Sequence, residues 1–177
     1  KVIARAGVGV GNIDVEYATE RGILVINTPG KNTNSAAELT MGLLLSAFRK
    51  IVPAHQSMQS LNWDRHRFNG GELMNKCLGI IGLGNVGHRV ARYAKAFDMK
   101  VQAFDPYLAD EVFERHGVQK VDWITLLNTS DVITFHVPLN DETRGMISEM
   151  EIERMKPGVI LLNTCLLYTS DAADDVR

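Results

Sequence analysis

Three glycines at fixed spacing, in Gly82-Leu83-Gly84-Asn85-Val86-Gly87, constrain this chain more than any other feature. The short apolar run from Cys77 to Ile81 precedes them. Behind them, His88 to Phe97 carries apolar residues at helical spacing. Strand, glycine turn and helix in this order predict the phosphate-cradling corner of a dinucleotide-binding βαβ unit. Gly82 is expected to make the tight turn. Gly84, without a side chain, lets a pyrophosphate approach the backbone, and Gly87 lets the helix pack closely on the strand. The helix N-terminus adds unbonded N–H groups and a partial positive charge, so Leu83, Asn85 and Val86 complete the candidate cradle.

The next predicted strand, Lys100 to Phe104, ends in Asp105. An acidic residue about 20 positions past the glycines accepts hydrogen bonds from the adenosine ribose and repels a 2′-phosphate. Pro106 and Tyr107 follow, with no Arg to receive such a phosphate. The expected cofactor is NAD rather than NADP.

A chain of 177 residues with 45% hydrophobic content has room for one domain, or for one domain and part of another. Its net charge of -2 gives no electrostatic case for a nucleic-acid or membrane partner. The longest apolar stretch, Met41 to Ala47, is far too short to cross a bilayer. The two cysteines, Cys77 and Cys165, lack metal-ligand spacing. A cytoplasmic protein with free thiols and no metal is expected.

Elements alternate along the rest of the chain. Lys1 to Ala6 reads as a buried strand, Asp14 to Arg21 as a short helix capped by Asp14 and stopped by Gly22, and Ile23 to Asn27 as a second strand. Ser35-Ala36-Ala37-Glu38 reads as a capping box that opens a long helix. That helix is apolar almost all round and is expected to be buried on several sides, until Pro53 disturbs the pattern. After the glycine unit come helices at 108–116, 122–127 and 148–155, and strands at 118–121, 131–136 and 159–164. The expected fold class is α/β: a Rossmann-type doubly wound parallel sheet, truncated, with the remnant of a second, flavodoxin-like domain.

Several segments together resemble the D-isomer-specific 2-hydroxyacid dehydrogenases: residues 5–14, Asn27-Thr28-Pro29, Ala36-Ala37-Glu38-Leu39, residues 79–84, Phe104-Asp105-Pro106, His136-Val137-Pro138-Leu139 with Thr143, and residues 156–164. The resemblance implies hydride transfer between nicotinamide and C2 of a D-2-hydroxy acid. The first fourteen residues favour members that oxidise 3-phosphoglycerate for serine synthesis. Glyoxylate or hydroxypyruvate reduction is the alternative activity, and an NAD-sensing, corepressor-like binding protein is the alternative of another class. It also implies that residues 1–32 end a first substrate-domain segment and that residues 33–164 form the NAD-binding domain with its interdomain helix. The helix from Ser35 would join a homodimer or homotetramer.

Carried over by position, Gly7 and Val8 face the substrate carboxylate and Asn32 lies near the substrate. Asn85 and Val86 cradle the pyrophosphate, Asp105 takes the ribose, and Val137, Pro138 and Thr143 line the adenine side. Thr164 reaches the nicotinamide half. Gly11 departs from the pattern, which has Asp there. The family continues past Thr164 with an Arg-Gly-Gly segment and, further on, a catalytic Glu and His. Here residues 165–177 instead resemble translated sequencing adapter. The expectation is a fragment with a non-native tail that is itself inactive.

His136 invites a reading as a catalytic base, but it is expected to pack beside the ribose without moving a proton. His55, His66, His88 and His116 are scattered without metal spacing. Arg65, His66 and Arg67 read as a solvated loop.

Overall fold

The computed structural model describes residues 1–164, so the expected non-native tail lies outside the described residues. The first strands, β1 (Val2–Ala4) and β2 (Leu24–Ile26), pair in parallel with Val2 opposite Leu24. Between them runs α1 (Val15–Glu20). The Asp14 side chain accepts the Tyr17 N–H at 2.9 Å, and Gly22 leaves the helix at φ 63°. The predicted strand is there, but it is not buried. Val2, Leu24 and Ile26 are 57, 63 and 47% exposed, although α1 packs against β2.

The long helix α2 (Thr33–Phe48) begins earlier than its sequence suggests. Asn32 stands at its N-cap without a side-chain cap bond, and the Thr33 hydroxyl donates to Gly30 O at 2.7 Å. The expected capping box at Ser35 therefore falls inside the helix. Only one face is buried, through Thr33, Ala37, Thr40, Met41 and Leu44, while Leu39 and Leu43 are exposed. Within this single chain, burial is confined to that one face. The chain turns at Lys50, in the left-handed conformation, and continues as α3 (Ile51–Gln59). Pro53 sits in the first turn of α3, where a missing N–H costs nothing, so it starts a helix rather than breaking one.

The main sheet contains β3 (Cys77–Ile81), β4 (Lys100–Phe104), β5 (Gln119–Lys120), β6 (Val132–Phe135) and β7 (Ile160–Asn163). Its order is β5-β4-β3-β6-β7, and every pairing is parallel. Four helices connect the strands: α4 (Gly87–Ala96), α5 (Asp110–His116), α6 (Trp123–Thr129) and α7 (Glu149–Arg154). Strand alternation divides the core between two faces. Leu78, Ile80 and Val132 pack with α4, α5 and α2, whereas Ile81 and Ile133 pack with α6 and Met155. α6 sits so close that a Cβ on Gly79 would lie 2.2 Å from Ser130 Oγ. The chain runs outward from β3 to β5, then returns to β6 on the other side of β3. That reversal leaves a crevice above the carboxyl end of β3, the place where sheets of this kind hold ligands.

Candidate functional site

The glycine turn sits at this reversal, and its three glycines meet three different surroundings. Gly82 has φ 89°, and a Cβ there would lie 2.8 Å from Val137 Cγ1 and 2.9 Å from His136 O. A Cβ on Gly87 would lie 2.1 Å from Gly82 O, so strand end and helix start touch backbone to backbone. At Gly84 the same test meets nothing within 4 Å. Gly82 and Gly87 are therefore required by the protein's own packing, while Gly84 borders open space. The N–H groups of Gly84, Asn85 and Val86 donate to no acceptor among the described residues. They stand at the N-terminus of α4, a ten-residue helix. Unpaired donors, a helix start and a clear approach suit a pyrophosphate.

Asp105 is tied to this turn directly. Its Oδ2 accepts the Leu83 N–H at 3.0 Å, and its Oδ1 accepts the Tyr107 N–H at 3.1 Å. Leu83 itself is buried. The carboxylate is thus fixed at the lip of the crevice with lone pairs left to accept ribose hydroxyls.

The strand after the reversal supplies the far wall. His136 donates its backbone N–H to Ile81 O at 2.8 Å, and its Nε2 lies 3.1 Å from the Thr134 hydroxyl. Burial pushes the imidazole down to about 4, so it is neutral at physiological pH. Val137 packs against Gly82. Thr143 closes the following loop by donating its hydroxyl to Pro138 O at 2.6 Å. Val137, Pro138 and Thr143 share a cavity of about 310 Å³ with Leu139 and Met146.

Thr164 ends the described residues, just past β7. It is buried, and its hydroxyl lies 2.8 Å from that of Thr40 on α2. Thr40 gives its own proton to Ala36 O at 2.8 Å, so Thr164 donates to Thr40. The Thr164 hydroxyl is thus tied to the long helix.

Gly7, Val8 and Asn32 are brought together elsewhere, in an open cleft of about 870 Å³ that Arg5 and Lys31 also line. Gly7 donates its N–H to Arg5 O at 2.9 Å, so it has none to offer an anion in this conformation, whereas the Val8 N–H is unengaged among the described residues. Asn27 Nδ2 holds the loop by donating to Val8 O at 2.8 Å. Arg5 Nη1 donates to Asn12 Oδ1. Among the described residues no cluster of His, Cys, Asp or Glu is placed to hold a metal ion. None of their helices is long and apolar enough to cross a membrane.

Sequence reading missed two side-chain contacts near these sites, Tyr107 with Glu142 and Thr40 with Thr164. Both join residues distant in sequence, so no local pattern announces them. The Asp105–Tyr107 turn was readable, because Asp commonly bonds the backbone two residues on.

Comparison with known proteins agrees with this geometry. The family model for the NAD-binding domain of D-isomer specific 2-hydroxyacid dehydrogenases matches residues 41–166. A D-3-phosphoglycerate dehydrogenase of Archaeoglobus fulgidus is 52% identical over 163 residues, covering 92% of this chain and 31% of the relative. A hydroxypyruvate reductase of Thermotoga maritima is 47% identical over 171 residues, covering 97% of this chain and 55% of the relative. Among solved structures, D-lactate dehydrogenase from Aquifex aeolicus, complexed with NAD and lactic acid, superposes with a TM-score of 0.81 at 36% identity. That match covers 92% of this chain and 49% of the other. The chain thus spans between about a third and about half of the length of these relatives.

Proposed function

The chain belongs to the D-isomer specific 2-hydroxyacid dehydrogenase family through its NAD-binding domain, and on that premise we propose that it is part of an NAD-dependent oxidoreductase of 3-phosphoglycerate. The observation that carries the cofactor side is the turn at Gly84: unpaired N–H groups, no obstructing atom, and Asp105 fixed beside it. NAD, when bound, supplies the hydride acceptor. The residues here bind and orient it: Gly84, Asn85 and Val86 at the pyrophosphate, Asp105 at the ribose, and Val137, Pro138 and Thr143 along the adenosine. His136, neutral and half-buried, packs the wall and moves no proton.

The substrate side rests on the second cleft. Two cations, Arg5 and Lys31, line it with Asn12 and Asn32. A substrate carrying both a carboxylate and a phosphate suits this lining better than lactate, with one anionic group. Residues 1–32 act as the substrate segment and residues 33–164 as the cofactor segment. Exposed Leu39 and Leu43 on α2 support its use as a contact between copies in a cytoplasmic dimer or tetramer.

Titration calorimetry of the chain with NAD, and separately with 3-phosphoglycerate and D-lactate, tests the reading. NAD binding that is abolished in D105A, with 3-phosphoglycerate held more tightly than lactate, is the expected result. No NAD binding would remove the cofactor reading. Equal affinity for the two acids would remove the choice of substrate.

A further inference from the structure

The loops that follow β4 and β6 flank the glycine turn, and one contact joins them across the crevice. Tyr107, two residues past Asp105, donates its phenol to Glu142 Oε2. The Tyr107 backbone is already held, because its N–H donates to Asp105 Oδ1 at 3.1 Å. Glu142 is held from its own side, since its N–H donates to Asn140 Oδ1 at 3.1 Å within the turn that Thr143 closes. The ring thus spans from the carboxylate at the end of β4 to a second carboxylate on the loop after β6.

We propose that Glu142, positioned by Tyr107, is a second determinant of cofactor choice and acts with Asp105 to reject a phosphate on the adenosine 2′-hydroxyl. This rests on the NAD reading above. On that reading the ribose held by Asp105 would sit beside the loop contact made by Tyr107, so that a 2′-phosphate would meet negative charge from both loops. The phenol of Tyr107 is raised above its ordinary value by the hydrogen bond to Glu142 first, then by desolvation and the charge of Glu142, and least by the charge of Asp105. The cation on the other side of Asp105 is already engaged. Lys120 shares a cleft with Asp105, but its ammonium is held at 2.5 Å by Asp110 and also donates to Leu108 O.

The experiment is titration calorimetry of the full chain with NAD and with NADP at low and at high salt, for wild type, E142Q, Y107F and D141N. Wild type is expected to prefer NAD. E142Q narrows the ratio of NADP to NAD dissociation constants by about fivefold at low salt, the order expected when one charge acts on a phosphate at a separation of about 8 Å in water. High salt shrinks that difference between wild type and E142Q. Y107F keeps both carboxylates but releases Glu142, and it narrows the ratio by a smaller factor in the same direction. D141N removes a neighbouring charge that makes no bond to Tyr107, and it narrows the ratio clearly less than E142Q does. Equal melting temperatures across the set separate specificity from folding, since both partners are exposed. An unchanged ratio in E142Q, or an equal effect in D141N, overturns the role of Glu142 while leaving NAD binding intact. An unchanged ratio in Y107F overturns the positioning role of Tyr107. Absence of NAD binding in wild type overturns the cofactor reading, and this inference with it.

Discussion

Mild acid should destabilise this chain through His136. The imidazole titrates near 6.5 in an unfolded chain and near 4 in the fold, because burial penalises the charged form. Between those values the unfolded state binds the extra proton, so acid favours unfolding. The contribution to stability is fully present above pH 6.5 and is lost progressively as pH falls toward 4. The gap of about 2.5 pH units corresponds to about 3 kcal/mol when complete, and to about 2 kcal/mol by pH 5. For a chain of this size that is a fall in Tm of about 4–8 °C. The assay is thermal melting at pH 7.5 and pH 5 for wild type and for His136→Asn, which keeps a polar side chain near Thr134 but does not titrate. Carboxylates that begin to protonate at pH 5 do so in both proteins, so the difference between the two falls isolates His136. An equal fall in the two proteins would refute the argument.

Two further substitutions test the glycine turn against itself. Gly84→Ala should melt at or slightly above wild type, because its Cβ meets nothing and the unfolded chain loses freedom, yet NAD binding should weaken about tenfold or more. Gly87→Ala should destabilise the fold by about 3 kcal/mol, because its Cβ must displace Gly82 O. Calorimetric melts with NAD titrations read both, and the reverse pattern would show that the roles are exchanged. Thr40→Val leaves the buried Thr164 hydroxyl without its acceptor and should cost about 1–3 kcal/mol. A T40V/T164V chain should regain part of that loss in the same melts, and no regain would mean the pair is not the source.

The centre of the five-stranded sheet was legible because β3, β6 and β7 carry dense apolar runs between clear stops, and Gly82, Gly87 and Asp105 fall in register with them, whereas β5 is only the polar pair Gln119–Lys120. Its order follows from strand-and-helix alternation. What sequence could not supply was the environment of elements whose covering is set by distant partners. β1 reads as buried from Val2 and Ile3, yet those side chains are exposed. α2 carries apolar residues all round but buries one face, since its neighbours reach only the side of Ala37, Met41 and Leu44. Ser35-Ala36-Ala37-Glu38 matches a capping box in letters, but the turn at Gly30 and the Thr33 hydroxyl start the helix first. In the site, the glycines and Asp105 were readable by spacing. The engagement of Thr164 by Thr40 was not, because it joins residues 124 positions apart.

Asp105 holds two backbone N–H groups, one from the glycine turn and one from its own loop. Retuning the cofactor preference at this position therefore carries a mechanical penalty. Any replacement that cannot accept both bonds frees Leu83 and lets the pyrophosphate corner drift while the charge is being changed. An engineer who wants a different cofactor without a looser grip would do better to leave Asp105 in place and alter charge at Glu142, whose side chain bonds Tyr107 rather than the glycine turn.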